Sequence, residues 1–373
     1  MNVYEELNLP KVINASGKMT ALGTSIIDNR VSEYMSEAAM NYVNIRELID
    51  KAGEIISKYT GADDSCVTSC AAAGIAISTA ACIAKDDGSA IEALPQSEGM
   101  KNEIIIQKGH SVNFGAPVVQ MIRIGGGLPV EVGQTNKVET FHIENAINEK
   151  TAALFYVKSH HAVQKGMVSI EDMVEIAKRH DLPLIIDAAA EEDLKKYINM
   201  GADLVIYSGA KAIEGPTSGF ITGNKKLIGY CKLQYKGVGR AMKVGKENIM
   251  GLLKALELYS QKDKGPLVKR QKEMLDRINI EVNKIKGLSA GIIKDEAGRD
   301  IYRSQIKIDS KELGVDASYI IKELEGGSPA IYTRNHYANI GIINVDPRPM
   351  KYGDAELFVK KLKNIICNIK SKS

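Results

Sequence analysis

Short apolar runs that alternate with helix-like stretches dominate residues 46–222, and they constrain the fold more than any other feature of the sequence. Residues 182–186 (LPLII) and 202–207 (ADLVIY) are almost continuously apolar. Runs of this kind are typical of strands buried on both faces, as in parallel sheets covered by helices. The alternation therefore predicts an α/β fold with a mostly parallel sheet and helices on both of its faces.

Individual elements can be assigned along this region. An apolar stripe at helical spacing runs from Leu48 to Tyr59, and residues 71–84 form an alanine-rich helix. Ser169 begins another helix, with a capping box that Asp172 completes. We predict strands over residues 103–107, 118–124, 152–157, 184–186, 203–207 and 220–222.

The C-terminal part of the chain has a mixed α+β pattern. A long helix is predicted over residues 241–259, and Gly265-Pro266 marks a break. A further helix, short strands over residues 305–308 and around 340–345, and a last helix from Asp354 follow. We therefore expect three parts: an N-terminal segment (1–45), a large domain (46–262) and a smaller α+β domain (263–373).

Charge and cysteine content exclude several functions. The 49 Lys and Arg residues balance 46 Asp and Glu residues, and the net charge of +3 provides no general field for a nucleic acid or an anionic membrane. The start of the chain lacks a secretory signal, and no apolar stretch reaches the about 20 residues of a membrane span. The five cysteines are scattered without a Cys-x-x-Cys pair. We expect a cytoplasmic protein with neither a metal site nor disulfides.

The sharpest chemical signal is a lysine just beyond an apolar strand. Lys211 lies in a loop of small residues (207–211, YSGAK), and Ser208 precedes it by three positions. A lysine shielded from water is more readily a neutral, nucleophilic amine, and small neighbours leave room for a flat cofactor. Taken alone, the signal at Lys211 is modest, because most lysines that follow strands are simply solvated.

An aspartate ends the strand that precedes this one. Asp187 follows the apolar residues 184–186, and ligands of open α/β sheets bind at the carboxyl ends of strands. A carboxylate that faces a pyridine nitrogen keeps it protonated, so that the ring accepts electrons. One helix and one strand separate Asp187 from Lys211, which predicts that both emerge at the same sheet edge. The alternative for Asp187 is an ordinary turn or cap residue.

Two further segments also follow strands. Residues 66–74 (CVTSCAAAG) lead into the alanine-rich helix, whose first N–H groups and dipole suit a phosphate, although an ordinary capped helix is the alternative. His110 is a candidate to stack on an aromatic ring, although a lone histidine is more often structural. The candidate cofactor contacts are thus Lys211, Asp187, Ser69, Cys70, Ala71, His110, Ala189 and Ser208.

In this order, the phosphate loop, stacking residue, strand-end aspartate and lysine resemble the fold-type I pyridoxal-phosphate enzymes, the aspartate aminotransferase-like superfamily. The chain is similar over essentially its whole length to bacterial selenocysteine synthase (L-seryl-tRNA selenium transferase) and its relatives. The resemblance implies pyridoxal 5′-phosphate in Schiff-base linkage to Lys211, with Asp187 at the pyridine nitrogen. The residues that carry it are 12–17 (VINASG), 59–63 (YTGAD), 71–73 (AAA), 239–246 (GRAMKVGK) and 346–348 (DPR).

Two features distinguish the chain from the synthases. The synthases carry an additional N-terminal domain for tRNA, whereas this chain begins almost directly at residues 12–17. Residues 18–24 (KMTALGT) also replace a charged pattern of the synthases, so we do not expect a tRNA substrate or another nucleic acid. Residues 13–23, 208–223 and 329–350 are instead similar to the D-glucosaminate-6-phosphate ammonia-lyase branch of the family.

That branch implies an α,β-elimination on a phosphorylated 2-amino sugar acid, which yields a 2-keto-3-deoxy sugar acid phosphate and ammonia. The Lys211 amine, or another base, would remove the α-proton. Another reaction of the same cofactor (an amino-acid lyase, racemase or aldolase) and seryl-tRNA selenium transfer are alternatives. A non-catalytic scaffold is disfavoured, because both Lys211 and Asp187 are present.

Histidines and cations near the predicted site are candidates for contacts to the substrate. Arg334 is assigned to the carboxylate, because a guanidinium matches a carboxylate in bidentate geometry; the alternative is a salt bridge within the small domain. His160 or His161 would protonate the leaving hydroxyl, unless the pair is merely a surface feature. Arg240 and Lys243 would serve a phosphate of the cofactor or of the substrate.

Lys158 is a further cation near the predicted site. Active sites of this fold type usually lie between subunits, and residues 239–246 are a plausible contribution to a neighbouring site. The resemblance therefore implies a homodimer or an assembly of dimers.

Overall fold

The computed structural model describes residues 3–159, 161–295 and 300–371. The chain forms two compact units. Unit 1 comprises Met1–Ile26 and Lys262–Ser373, and unit 2 comprises Ile27–Gln261. The segment 1–45, which we expected to stand apart, is thus divided between the two units, and the second boundary falls after residue 261 instead of 262.

The strands in chain order are β1 (Val12–Ala15), β2 (Asp64–Thr68), β3 (Glu103–Gln107), β4 (Leu128–Val132), β5 (Thr151–Val157), β6 (Leu184–Asp187), β7 (Leu204–Ser208), β8 (Gly219–Gly223), β9 (Leu288–Lys294), β10 (Tyr302–Ile308), β11 (Ala330–Thr333) and β12 (Ile342–Val345). The α-helices are α1 (Asn29–Met40), α2 (Ile45–Thr60), α3 (Ala71–Ala84), α4 (Gly88–Ala93), α5 (Val118–Ile124), α6 (Thr140–Glu144), α7 (Ile170–Arg179), α8 (Lys196–Met200), α9 (Lys225–Leu233), α10 (Lys246–Ser260), α11 (Lys264–Val282), α12 (Ser310–Leu313), α13 (Ala317–Glu325) and α14 (Asp354–Lys370).

Unit 2 is built on one sheet with the strand order β2-β8-β7-β6-β5-β3-β4. Strand β8 is antiparallel to both of its neighbours, and the other pairings are parallel. Every residue of β5 and of β7 is buried, as the continuous apolar runs predicted. Because β2 and β7 both run opposite to β8, the carboxyl ends of β2, β3, β5, β6 and β7 lie at one edge.

Helices cover both faces of this sheet, which confirms the predicted α/β architecture. Alternate residues of a strand point to opposite faces, so Ile185 and Ile186 enter different apolar clusters. Ile186 packs in a cluster with Met173 of α7 and Leu252 of α10, and Ile185 packs in a cluster with Ile77 of α3. Helix α7 begins at the predicted cap, where the Ser169 hydroxyl accepts the Asp172 N–H at 3.1 Å.

Helix packing joins residues 27–45 to the rest of unit 2. Helix α1 lies against α10, and Gly251 of α10 leaves the space that the side chain of Met35 fills. A Cβ at position 251 would lie 2.6 Å from Cγ of Met35. This close approach explains why residues 27–45 are part of the large unit.

The predicted strand over residues 118–124 is wrong, because the structure has helix α5 there. Its buried residues Val118, Val119 and Ile122 have i, i+1, i+4 spacing, which places them on one helix face. The β-branched composition favoured a strand, and a short apolar run does not separate the two states.

The helix predicted over residues 241–259 is interrupted. A short 3-10 helix (Val238–Met242) comes first, and α10 begins after the cap residue Gly245. The predicted break at Gly265-Pro266 is the start of α11, where Asp263 accepts the Gly265 N–H at 2.9 Å. Proline is tolerated in the first turn of a helix, because its missing N–H would have no intrahelical partner.

Unit 1 combines two small sheets with helices, as the α+β pattern predicted. Strands β1 and β11 pair in parallel, and β9, β10 and β12 form an antiparallel sheet in the order β12-β10-β9. Ile306 of β10, Ile343 of β12 and Phe358 of α14 share one apolar core. Residues 1–26 join this unit because β1 pairs with β11 and the Asp346 N–H donates to Ala15 O at 2.7 Å.

None of the described helices combines the length and the apolar character that crossing a membrane requires. Within the same residues, no group of three or more His, Cys, Asp or Glu side chains is arranged to hold a metal ion.

Candidate active site

The register of the sheet in unit 2 brings two of the candidate segments together. Val157, Asp187 and Ile206 are direct partners across β5, β6 and β7. The loops that follow these three strands therefore start side by side at the carboxyl edge. The backbone N–H of Lys158 donates to the carbonyl oxygen of Asp187 at 2.8 Å, which continues the pairing one residue beyond β5.

The phosphate-loop candidate reaches the same edge through β8. Thr68, Gly219 and Ser208 are direct partners across β2, β8 and β7. A Cβ at position 219 would lie 2.9 Å from the backbone nitrogen of Ala71, so only glycine lets β8 pass this close to the start of α3. Ser208 and the N-terminus of α3 are therefore neighbours, although about 140 residues separate them in the chain.

Helix α3 offers backbone donors at this edge. Its cap residue Cys70 accepts the Ala73 N–H through Sγ at 3.4 Å. The N–H groups of Ala71 and Ala72 have no acceptor within the described part of the chain. Together with the positive end of the helix dipole, two such donors suit a phosphate, and half-buried Ser69 lies next to them.

Asp187 is buried at the end of β6, and its Oδ1 accepts the Ala189 N–H at 3.1 Å. Burial raises the pKa of the Asp187 carboxyl, whereas the nearby charge of Lys211 and the Ala189 hydrogen bond act in the opposite direction. An ionised carboxylate in this position is favoured by a further cationic partner. A protonated pyridine nitrogen has this character, so Asp187 fits the pyridine end of the cofactor.

Lys211 lies half-buried in a tight turn after β7. The Gly209 N–H donates to Ser218 O at 2.9 Å, and the Gly215 N–H donates to Gly209 O at 2.8 Å, which closes the loop on itself. A Cβ at position 209 would lie 2.2 Å from Oγ of Ser218. The small residue before Lys211 is thus a packing requirement, and the turn holds the lysine within the electrostatic reach of Asp187.

His110 is corrected by the structure from a stacking residue to a buried packing residue. Its ring has no exposed surface, and it meets the ring of Tyr156 edge-on at a centroid distance of 4.4 Å. Its Nδ1 accepts the Val157 N–H at 3.3 Å, and its Nε2 lies 3.1 Å from the carbonyl oxygen of Val163. Because the side chain has no exposed surface, neither face of the ring is accessible for stacking in this structure.

Lys158 is half-buried at the end of β5, beside Asp187. Its Nζ donates to Oε1 of Gln164 at 2.9 Å, and Nε2 of Gln164 donates to Val157 O at 3.2 Å. The glutamine therefore connects the lysine to the strand end. Sequence reasoning missed Gln164, because nothing in its neighbourhood marks a glutamine that folds back on a strand.

His161 is exposed, and its backbone N–H donates to Oγ of Ser159 at 3.2 Å. His160 lies outside the described residues. Arg240 and Lys243 are both exposed in and just after the 3-10 helix, and neither forms an ion pair with a described residue.

Arg334 belongs to unit 1. Its backbone forms two hydrogen bonds with Asn344, at 2.8 and 3.0 Å. Its half-buried guanidinium has neither a hydrogen bond nor an ion pair within the residues that the structure describes, so the alternative of a salt bridge is not observed there. Burial lowers the pKa of Arg334, and the charge of Arg303 adds to the effect.

Comparison with known proteins identifies the relatives of this chain. A family model described as L-seryl-tRNA selenium transferase matches residues 12–289. The chain is 49% identical over 364 residues to a D-glucosaminate-6-phosphate ammonia lyase of Salmonella typhimurium (strain 14028s / SGSC 2262), with 98% of each chain covered. It is 40% identical to a 5′-C-glycyluridine monooxygenase-decarboxylase of Streptomyces sp, covering 97% of this chain and 92% of the relative. An L-seryl-tRNA(Sec) selenium transferase of Aquifex aeolicus (strain VF5) is 28% identical, covering 78% and 69%.

Solved structures agree with these relationships. The structure of a D-glucosaminate-6-phosphate ammonia-lyase superimposes with a TM-score of 0.93 at 48% identity, and 99% of each chain is covered. A NifS-like protein matches with a TM-score of 0.61 at 15% identity, covering 95% of this chain and 99% of that one. An aspartate aminotransferase from Thermotoga maritima matches with a TM-score of 0.55 at 15% identity, covering 96% and 92%. The last two establish the fold alone, and they confirm the fold-type I architecture.

Proposed function

This chain belongs to the L-seryl-tRNA selenium transferase family, and we propose that it is a pyridoxal-phosphate-dependent ammonia-lyase. Its proposed substrate is D-glucosaminate 6-phosphate, and its products are 2-keto-3-deoxygluconate 6-phosphate and ammonia. The observation that carries the proposal is the whole-chain similarity to the ammonia lyase of Salmonella typhimurium, at 49% identity and with 98% of each chain covered. The TM-score of 0.93 to an ammonia-lyase structure supports the same substrate class.

The residues at the carboxyl edge of unit 2 fit pyridoxal 5′-phosphate. The N–H groups of Ala71 and Ala72, with Ser69 and Ser208 beside them, suit its phosphate. The Asp187 carboxylate suits its pyridine nitrogen, and the Lys211 amine suits its covalent attachment. When bound, the cofactor withdraws electrons from the α-carbon of the substrate, which makes the α-proton removable.

The protein residues then have separate tasks. Lys211 would hold the cofactor covalently in the resting enzyme, and its amine, once released, would act as the general base that takes the α-proton. Asp187 keeps a proton on the pyridine nitrogen by presenting a negative charge to it in a buried site. The departing β-hydroxyl needs a proton, for which His160 and His161 are our candidates, because both follow β5. The water lost from the β-carbon is balanced by the water consumed when ammonia is released.

Substrate recognition requires cations, since the substrate carries a carboxylate and a phosphate. We assign Lys158 to a substrate oxyanion, because it lies beside Asp187 and Gln164 holds its amine. Arg334 is assigned to an oxyanion because its guanidinium has no protein partner in the described chain. Arg240 and Lys243 are assigned to a phosphate of the cofactor or of the substrate. The protein is proposed to form a homodimer or an assembly of dimers, in which residues 239–246 contribute to the active site of the neighbouring subunit. Five cysteines that are all free thiols agree with a reducing, cytoplasmic compartment.

One preparation of the purified protein with pyridoxal 5′-phosphate tests the function. Keto-acid and ammonia release are measured with D-glucosaminate 6-phosphate, D-glucosaminate and D-serine, and tRNA retention is measured at physiological salt. We expect turnover of the phosphorylated substrate and no tRNA retention. Tight, salt-dependent tRNA retention without keto acid would favour selenium transfer instead. Oxygen consumption with 5′-C-glycyluridine would favour the chemistry named for the Streptomyces relative.

A further inference from the structure

The loop that follows Asp187 is held by three tyrosines of unit 2. Residues 188–195 connect β6 to α8 without regular secondary structure. Three tyrosine hydroxyls, one each from α8, α10 and β7, donate hydrogen bonds to three consecutive residues of this loop. The pairs are Tyr197 with Oε2 of Glu191 at 2.8 Å, Tyr259 with the carbonyl oxygen of Glu192 at 2.6 Å, and Tyr207 with the carbonyl oxygen of Asp193 at 2.9 Å. Elements that are distant in the chain thus fix one short segment.

The three tyrosine rings are anchored in the core of unit 2. Tyr197 and Tyr207 are each 1% exposed, and both belong to the apolar cluster that contains Ile186. The half-buried ring of Tyr259 packs against the same cluster. Packed aromatic rings have little freedom to move, so their hydroxyls present donors at fixed positions. The loop is therefore attached to the rigid core.

The start of the same loop connects two parts of the proposed cofactor site. The Ala189 N–H donates to Oδ1 of Asp187 at 3.1 Å, and the Ala189 carbonyl oxygen accepts the Ser208 N–H at 3.2 Å. One residue therefore links the aspartate assigned to the pyridine nitrogen with the serine assigned to the phosphate. The hydrogen bond to Asp187 also favours its ionised carboxylate. A displacement of Ala189 would change both contacts at once.

The distance along the chain from the tyrosine-bound residues to Ala189 is short. Only Ala190 lies between Ala189 and Glu191, and two residues span at most about 7 Å. The Glu191 N–H also donates to the Ala188 carbonyl oxygen at 2.9 Å, which closes a turn over this segment. A movement of residues 191–193 would therefore be passed on to Ala189.

We propose that Tyr197, Tyr207 and Tyr259 are positioning residues, which hold Ala189 so that Asp187 and Ser208 keep the spacing that the cofactor requires. They act through the loop, since their hydroxyls bind residues 191–193. Without these bonds the loop of the apoprotein is less ordered, and part of the free energy of cofactor binding is then spent on ordering it. This inference rests on the proposed function for the identity of the cofactor, pyridoxal 5′-phosphate.

Replacement of tyrosine by phenylalanine removes the hydroxyl and keeps the ring. The double variant Tyr207→Phe/Tyr259→Phe removes both hydroxyls that bind the loop backbone. Tyr259→Phe alone is the milder variant, because this side chain is only half-buried. Tyr156→Phe is the matched control. Tyr156 is 4% exposed in the same apolar cluster, and its hydroxyl forms no hydrogen bond with a described residue.

Two measurements need no substrate. Amide hydrogen exchange of the apoprotein reports the opening of residues 188–193, and titration with pyridoxal 5′-phosphate gives the dissociation constant of the cofactor. In the double variant we expect exchange of this segment to be at least about tenfold faster, because two hydrogen bonds no longer oppose its opening. The dissociation constant should rise at least about threefold, and Tyr156→Phe should change either quantity less than about twofold.

Steady-state kinetics with saturating cofactor give a third measurement. For D-glucosaminate 6-phosphate, kcat of the double variant should fall more than KM rises, because the misplaced Asp187 acts on the transition state more than on substrate binding. Lower global stability alone does not change the dissociation constant of the cofactor in a protein that stays folded. This constant therefore separates a positioning role from a purely structural one.

A folded double variant whose exchange of residues 188–193 or whose cofactor dissociation constant equals that of Tyr156→Phe overturns the proposal. Thermal unfolding shows whether the double variant is folded, and if it is not, Tyr259→Phe decides alone by the same two measurements. The two proposals fail separately. Absent keto-acid release with the expected exchange and cofactor affinities refutes the ammonia-lyase function and leaves the role of the tyrosines standing. A wild-type protein that does not bind pyridoxal 5′-phosphate refutes both.

Discussion

The backbone N–H of Val157 donates to Nδ1 of His110 at 3.3 Å, and this bond sets the protonation state of the ring. Since Nδ1 accepts, the ring proton lies on Nε2, which can then donate to the carbonyl oxygen of Val163 at 3.1 Å. Burial lowers the pKa of His110 to about 4. The neutral ring therefore links the end of β3 to the end of β5, next to the strand that carries Asp187.

His110 should make stability depend on pH. Its pKa is about 4 in the folded protein, whereas the unfolded chain has the ordinary histidine pKa of 6.5. As the pH falls, the unfolded chain therefore binds the extra proton first. The stabilisation is present above pH 6.5 and is lost progressively towards pH 4, by up to about 3 kcal/mol. Urea unfolding at pH 5 and at pH 7.5 measures the difference in the free energy of unfolding between the two pH values. His110→Phe should reduce it, whereas His180→Gln, at an exposed histidine, should not. An unchanged difference in His110→Phe would contradict the buried neutral ring.

Lys211→Ala should abolish the covalent attachment of the cofactor. The wild-type protein is expected to be yellow, and borohydride should fix the cofactor on the peptide that contains Lys211. Turnover should fall at least about 1000-fold, because one amine serves both as the attachment point and as a general base. Lys225→Ala, at an exposed lysine of α9, is the control. A reducible adduct on one defined lysine of Lys211→Ala would show that another residue is the attachment point.

Asp187→Ala should lower kcat more than it raises KM. The carboxylate acts on the charge of the ring, which matters more in the transition state than in the bound ground state. We expect kcat to fall at least about 100-fold while some cofactor stays bound. Steady-state kinetics and the visible spectrum of the variant measure both effects, and a near-normal kcat would rule out the role in electron withdrawal.

Gln164→Leu should raise KM for the phosphorylated substrate about tenfold with a smaller effect on kcat. The reason is that Gln164 places the amine of Lys158 without belonging to the reacting groups. Lys165→Ala, at the exposed neighbour, should leave both constants unchanged. Gln164→Glu preserves an acceptor for the amine, so it should retain more binding than Gln164→Leu. Equal constants for Gln164→Leu and the wild type would remove the positioning role.

Thiol labelling should report on the cofactor site. Cys66 and Cys82 are buried, and burial raises the pKa of each to about 12, so both should resist labelling in the native state. Exposed Cys367 should react first, and Cys367→Ser should remove that fast phase. Half-buried Cys70 caps α3 at the proposed phosphate site. It should react in the apoprotein and be protected by pyridoxal 5′-phosphate; equal labelling in both forms would argue against a phosphate at this helix start.

Elements with a strong local signal could be predicted from the sequence. The apolar runs of β6 and β7 and the Ser169 cap of α7 were predicted correctly, because burial pattern and capping depend on residues close together in the chain. Helix α5 was not, because a seven-residue run with four β-branched residues fits a strand and a helix about equally well, and the surrounding packing decides between them.

By itself, the sequence determined the alternating architecture, the family, and the positions of Asp187 and Lys211 at strand ends, since each follows from local pattern or motif. Only the tertiary structure decided what surrounds these residues. It placed His110, an expected stacking residue, in a buried position where the ring contacts Val157 and Val163, more than 45 residues away in the chain. It also brought three tyrosine hydroxyls to consecutive residues of the loop that follows Asp187. The register between strands distant in the chain is set by packing of the whole unit, which no local pattern encodes.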